Sequence, residues 1–222
     1  MGKVKYVLFD LDGTITESHP GITRSVEYAL KSHGFEPPSL DELKIFVGPP
    51  LGEMFMEVYG VSMEKAMDMV KTYRDRYVTI GKFECGVYDG IEETFKSLIA
   101  MGKTLCVATS KPESSAKEIL EHFGLTKYFT FIGGDSDKHE RANKSAVIDY
   151  VINELGIDKS EAVMVGDTHY DVEGAKKSGI RCIGVLYGYG EGNKLKEAGA
   201  VGLAERPEDI AEMVLHEEDL LL

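Results

Sequence analysis

Residues 103–133 read KTLCVATSKPESSAKEILEHFGLTKYFTFIG, and the fold is decided there. Two short β-rich apolar runs, KTLCVATS (103–110) and KYFTFIG (127–133), enclose a helical pattern, PESSAKEILEHFG, that ends in glycine as a helix C-cap does. Strand, helix and strand at this spacing make a βαβ unit, whose crossover lays its two strands parallel. The same alternation continues outward. EAVMVGD (161–167) and RCIGVLY (181–187) read as further strands, and GIEETFKSLIAMG, NKSAVIDYVINELG and DVEGAKKSG read as helices. VKYVLFD near the N-terminus is another strand. The expected class is therefore α/β, a parallel sheet with helices on both faces.

Between the first strand and residue 84 the pattern changes. HPGITRSVEYALKSHG, LDELKIFVG, PLGEMFMEVYG and SMEKAMDMVKTYRDRYVTIG are all helix-like, with apolar residues at three and four spacing and no clear strand. The simplest organisation is a helical insert, residues 17–83, within a sheet domain made of 1–16 and 84–222. Met54, Met56, Met63, Met67 and Met69 belong to the insert, where core packing is the expectation.

Composition narrows the function. Lys and Arg number 25 against 38 Asp and Glu, a net charge of −13 with a sequence pI near 4.9. A surface of that sign repels nucleic acid and anionic lipid, so neither is an expected partner. The longest apolar runs are strand-sized and fall well short of the roughly 20 residues of a membrane span. MGKVKYVLFD carries no signal-peptide cleavage pattern, and a cytoplasmic location is expected. The three cysteines, Cys85, Cys106 and Cys182, are odd in number and far apart, which suits free thiols in a reducing compartment.

The first strand ends in FDLDGT, with Asp10 and Asp12 one residue apart. In an extended segment such side chains point the same way, so two like charges are held together against their repulsion. A shared divalent cation offsets that, and so does a division of labour in which one carboxyl is ionised and the other carries a proton. Open parallel sheets bind ligands beyond the carboxyl ends of their strands. There the next strand delivers Thr109, Ser110 and Lys111, VMVGDTHYD delivers Asp167 and then Asp171, and Lys144 opens the helix before that strand.

Taken singly, each feature has an ordinary explanation: Asp-Gly is common turn chemistry, Asp167 could cap a helix, and Lys144 could be a surface lysine. An EF-hand starting at Asp10 fails, because Gly21 stands where its bidentate Glu belongs. Taken jointly, the set suits phosphoryl transfer through a covalent intermediate. A carboxylate attacks phosphorus, a cation neutralises the approaching anions, and lysine and hydroxyl donors hold the other oxygens. Asp10 must then be ionised to attack, and Asp12 must carry a proton when the leaving group departs.

DLDGT, the strand ending in ATS, a lysine at a helix start and GDTHYD together resemble the four ordered motifs of the haloacid dehalogenase superfamily, across the whole chain. The resemblance implies a Rossmann-like core and a mobile helical cap inserted after the first motif. It implies Asp10 as nucleophile, Asp12 as general acid and base, and phosphate binding by Thr109 and Lys144, with Ser110 as a further hydroxyl. Magnesium is implied on Asp10, Asp167 and the backbone carbonyl of Asp12, and Asp171 is implied to support the metal or orient the lysine. The lysine here opens NKSAV where the family usually shows Lys-Pro-x-Pro, so Lys138 is a second candidate.

TITESHPGI resembles phosphoglycolate phosphatases, whereas FVGPPLGEMF resembles pyrophosphatase-like and 5′-nucleotidase-like members. The expected activity is a phosphomonoesterase acting on a small metabolite, with phosphoglycolate as the favoured substrate and a phosphosugar mutase as a further alternative. Arg24, Lys44 and the Gly48-Pro49-Pro50 turn are candidates for reading the substrate. A response-regulator receiver is a poorer match, since it lacks a large insert after its first acidic strand. Oligomeric state is open.

Overall fold

The computed structural model describes residues 4–136, 140–141 and 143–216. Strand β1 (Tyr6–Phe9) is followed by a two-residue strand, β2 (Thr16–Glu17), and by helices α1 (His19–Ser32), α2 (Leu51–Tyr59) and α3 (Met63–Thr79). Strand β3 (Gly86–Val87) pairs with β2. Then come α4 (Ile91–Ala100), β4 (Thr104–Pro112), α5 (Glu113–His122), β5 (Phe131–Asp135), α6 (Lys144–Leu155) and β6 (Ala162–Gly166). The chain continues through α7 (His169–Ser178), β7 (Arg181–Val185), α8 (Gly192–Ala198), β8 (Gly202–Ala204) and α9 (Pro207–Leu215). It divides into two compact units, one comprising the chain up to Thr16 and from Val87 onward, the other Glu17–Gly86.

The first unit is built on a parallel six-stranded sheet in the order β5-β4-β1-β6-β7-β8. Side chains alternate across β1: Leu8 joins the buried cluster of Val147, Ile148 and Val151 from α6 and Val172 from α7, whereas Phe9 meets Phe95 of α4 edge to face at 5.1 Å. Helices therefore cover both faces, as parallel sheets require. β1 is the switch point, with β4 on one side and β6 on the other, the position beyond which open α/β sheets bind their ligands. Register does the rest. Phe9 pairs with Val107 and Val165, so Asp10 leaves the sheet one residue beyond that level, close to Thr109 and Asp167.

The Glu17–Gly86 unit is helical around Val26, Leu30, Leu43, Phe46, Phe55, Met69 and Tyr73. The helix expected at 40–48 is instead a short 3₁₀ turn, Glu42–Phe46. Its continuation is stopped by Gly48 at φ +105° and by Pro49, which disfavours helical geometry in the residue before it. The methionines divide: Met69 is fully buried and Met54 and Met56 pack at its margin, but Met63 and Met67 lie on the outer face of α3 at 57% and 51% exposure. Core packing is thus corrected for those two. Arg24 and Lys44, candidates for reading the substrate, are engaged with Glu84 at 3.2 Å and Asp41 at 2.8 Å.

Three helical or strand elements near the C-terminus, α8, β8 and α9, had no sequence expectation. Among the described residues no helix is long and apolar enough to cross a membrane. Cys106 and Cys182 are buried free thiols, and Cys85 is half-buried.

Candidate active site

Asp10 follows β1 directly, and its backbone N–H still donates to Val165 O at 2.9 Å, so the strand fixes it rigidly. The side chain is buried, with Oδ1 2.7 Å from Lys144 Nζ. Lys144 is the first residue of α6, whose N-cap Asn143 accepts from Ala146 N–H at 3.0 Å. Its ammonium also lies 2.8 Å from Asp171 Oδ1 and donates to Ala108 O at 3.3 Å. Only 7% of the residue is exposed, which excludes the surface-lysine reading. Lys138, the other candidate, lies outside the described residues.

Asp171 is fully buried and is not a solvated helix residue. It sits at the third position of α7 and completes a capping box: its Oδ2 accepts from Thr168 N–H at 2.9 Å and from Thr168 Oγ1 at 2.8 Å. One oxygen thus engages the cap and the other Lys144. Asp167, just beyond β6, has no exposed surface; its Oδ2 accepts from Tyr189 N–H at 2.8 Å, and its Oδ1 is buried without a hydrogen-bond partner. The Tyr189 contact belongs to a loop that sequence reading missed. A Cβ at Gly190 would lie 1.8 Å from the Asp167 carbonyl oxygen, and one at Gly188 would lie 2.3 Å from Asp167 Cβ. The Gly-Tyr-Gly run after β7 is the signal that could have found it, since only glycine permits such backbone approach.

Asp12 faces elsewhere. Its Oδ2 is 2.8 Å from Lys111 Nζ, while its Oδ1 is buried without a hydrogen-bond partner. The neighbouring carboxylates of FDLDGT are therefore separated by giving each its own lysine, Lys144 for Asp10 and Lys111 for Asp12. Lys111 stands on a bulge: from Ala108 to Pro112 β4 advances four residues while β5 advances two, Gly133 to Asp135. Thr109 is buried at its start, and its Oγ1 accepts from Lys111 N–H at 3.2 Å. Ser110, between them, is exposed.

Carboxylate oxygens of Asp10, Asp167 and Asp171 lie within 4.8 Å of one another. With Asp12, four carboxylates face two ammonium groups, Lys111 and Lys144, so among the described residues negative charge is in excess. Burial, with Asp171 and Asp12 adding to it, pushes the Asp10 carboxyl up to about 6 against the pull of Lys144. Burial and the charges of Asp171 and Asp10 likewise hold Asp167 well above the ordinary carboxylate range. On Lys144 burial opposes the charge, but Asp10 and Asp171 outweigh it and keep the ammonium protonated. An all-oxygen donor set, a partnerless buried oxygen on Asp167 and uncompensated negative charge fit a hard divalent cation.

The comparisons with known proteins give the family. A family model described as haloacid dehalogenase-like hydrolase matches residues 7–185. A 5′-nucleotidase of Pseudomonas aeruginosa is 41% identical over 190 residues, 86% of each chain. The tyrosine-protein kinase PtkA of Mycobacterium tuberculosis is 38% identical, over 83% of this chain but only 62% of its own length. A phosphoglycolate phosphatase of Vibrio parahaemolyticus is 28% identical over 95% of this chain and 96% of its own. Among solved structures, a predicted phosphatase from Clostridium acetobutylicum superposes with a TM-score of 0.90 at 44% identity, covering 97% of this chain and 100% of that one. By motif order, sheet topology, site geometry and these matches, the chain belongs to the haloacid dehalogenase-like hydrolase family, as an enzyme of its phosphatase kind.

Proposed function

We propose that the protein is a magnesium-dependent phosphomonoester hydrolase that acts on a small phosphorylated metabolite through an aspartyl phosphate on Asp10. The observation that carries this reading is the single buried group in which Asp10, Asp167, Asp171 and Lys144 meet at the switch point of the sheet. Magnesium would be held by Asp10, Asp167 and the carbonyl oxygen of Asp12, and would supply charge neutralisation between carboxylates and phosphate.

The chain's own residues account for the remaining chemistry. An Asp10 oxygen attacks phosphorus; the Asp10–phosphorus bond forms as the bond to the leaving oxygen breaks, and Asp12 gives that oxygen its proton. Asp12, now a carboxylate, takes a proton from water as the water oxygen attacks phosphorus and Asp10 is released. Lys144 and Thr109 hold the non-bridging oxygens while charge redistributes. Asp171, anchored by Thr168, keeps Lys144 beside the nucleophile. The Glu17–Gly86 unit supplies none of these residues, and in this reading it is the cap that selects the substrate.

For the substrate, two readings stand. Phosphoglycolate follows from the TITESHPGI segment and from the phosphoglycolate phosphatase relatives. Nucleoside 5′-monophosphates are favoured by the higher identity to the 5′-nucleotidase. An initial-rate screen over phosphoglycolate, nucleotides, pyrophosphate and sugar phosphates, with and without magnesium, tests both. Magnesium-dependent phosphate release from one or more of these is expected. Release that is indifferent to magnesium, or no release from any phosphomonoester, would refute the proposal.

A further inference from the structure

Lys111 has no part in the reaction scheme above, yet its side chain is only 7% exposed and its ammonium lies 2.8 Å from Asp12 Oδ2. Burying a lysine is costly unless something is gained at the site. The backbone is bent to achieve it, because the β4 bulge that contains Thr109, Ser110 and Lys111 takes Lys111 out of the regular ladder. The Thr109 hydroxyl then fixes the Lys111 backbone by accepting its N–H at 3.2 Å. The consequence falls on Asp12. One of its oxygens is engaged by the lysine, and the other, Oδ1, is buried with no hydrogen-bond partner. A carboxyl held at one oxygen and empty at the other is aimed.

We propose that Lys111 is a positioning residue that anchors Asp12 through Oδ2, so that Oδ1 is the oxygen that exchanges protons with the substrate. The inference rests on the assignment of Asp12 as acid and base made above. In the first half-reaction the proton on Oδ1 moves to the leaving oxygen as its bond to phosphorus breaks, and Asp12 is left as a carboxylate beside the Lys111 ammonium. In the second, Oδ1 takes a proton from the attacking water. Asp10 has a different anchor, Lys144, so loss of Lys111 disturbs the proton donor and leaves the nucleophile's ion pair in place.

The test uses leaving groups of unequal need. For an alkyl phosphate the departing oxygen requires a proton; for 2,4-dinitrophenyl phosphate it does not. kcat/KM reports the steps up to formation of the phosphoenzyme. In Lys111→Met it is expected to fall about a hundredfold for the alkyl substrate, the lower end of what a positioned acid contributes, and to stay within about threefold for the dinitrophenyl ester. Lys111→Arg, which keeps a cation and donors, should recover much of the alkyl rate. A thermal melt accompanies each variant, and Lys111→Gln replaces the Met form if that form is unfolded.

Equal losses on both substrates, or no loss on either, would overturn the role given to Lys111. Asp12→Asn is the control for the underlying assignment. If that variant keeps the wild-type ratio between the two substrates, Asp12 is not the acid and the proposed function fails with it. If Asp12→Asn shifts the ratio and Lys111→Met does not, the inference about Lys111 fails alone.

Discussion

In the Glu17–Gly86 unit, Glu84 takes two nitrogens of Arg76 at 2.7 and 3.1 Å and one of Arg24 at 3.2 Å, and Arg76 also donates to Ser25 at 3.0 Å. In the sheet unit, Asp10, Asp167 and Asp171 crowd together with one ammonium group among them. The first cluster is a structural one: its single carboxylate is met by two guanidinium groups and its hydrogen bonds are satisfied. The second is out of balance, and a fold tolerates such a place only where the surplus serves binding or chemistry. Buried carboxylate left without a cation therefore marks the site more sharply than charge as such.

The comparison breaks most severely at Asp167. Asp167→Asn removes one of the surplus charges, so turnover should fall roughly a thousandfold or more, while the metal-free protein should melt higher. A gain of 1 kcal/mol moves the midpoint of a chain this size by roughly 2–4 °C. The magnesium-induced thermal shift should shrink at the same time. Near-normal turnover with unchanged magnesium dependence would count against the metal assignment.

Lys144→Ala should cost roughly 2.7–4 kcal/mol of transition-state stabilisation, the scale of a lost charge clamp. It also leaves Asp10 and Asp171 without their shared cation, so the variant is best assayed with saturating magnesium. A larger loss in Lys138→Ala would move the phosphate-binding role to that lysine.

The two clusters should answer acid with opposite signs. The Asp10 carboxyl is raised to about 6 in the fold, so between an ordinary carboxylate value and 6 the folded state holds a proton that the unfolded state lacks. That contribution to stability is present at low pH and lost as pH rises through about 6. The hydrogen bond from Arg76 lowers Glu84, helped by Arg24, so its contribution is present above the ordinary glutamate value and fades as pH falls below it. The metal-free protein should thus melt higher at pH 5.5 than at 7.5. Glu84→Gln should be destabilised by about 1–2 kcal/mol at pH 7, with the deficit shrinking below pH 4. The same sign in both experiments would dissolve the contrast.

Much of this was legible in the sequence. The strand and helix alternation from KTLCVATS outward predicts the parallel sheet, and register alone carries Asp10 to within one residue of the level of Asp167 once the strands are paired. Lys144 and Asp171 were visible as residues at helix starts. What was not legible depends on backbone detail that no periodicity encodes. The β4 bulge that gives Lys111 to Asp12 is an irregularity of pairing, and the Gly188–Gly190 loop closes on Asp167 through main-chain contact. Strand β8, with three residues, is too short to register a period of two, and the 3₁₀ turn at Glu42–Phe46 is a helix pattern cut short by its glycine and prolines. In the sequence Ser110 reads as a second hydroxyl beside Thr109, but within the bulge it is exposed.

The central claim is that the two aspartates of FDLDGT hold different lysines because they do different work, Asp10 as nucleophile and Asp12 as the proton carrier. The direct measurement is the mass of the intact protein, quenched in acid after mixing with an activated aryl phosphate and magnesium. Asp12→Asn keeps the nucleophile and loses the base for the water, so it should trap a phosphate-sized mass gain. Asp10→Asn should show none. A mass gain in Asp10→Asn, or its absence in Asp12→Asn, would contradict the division of roles.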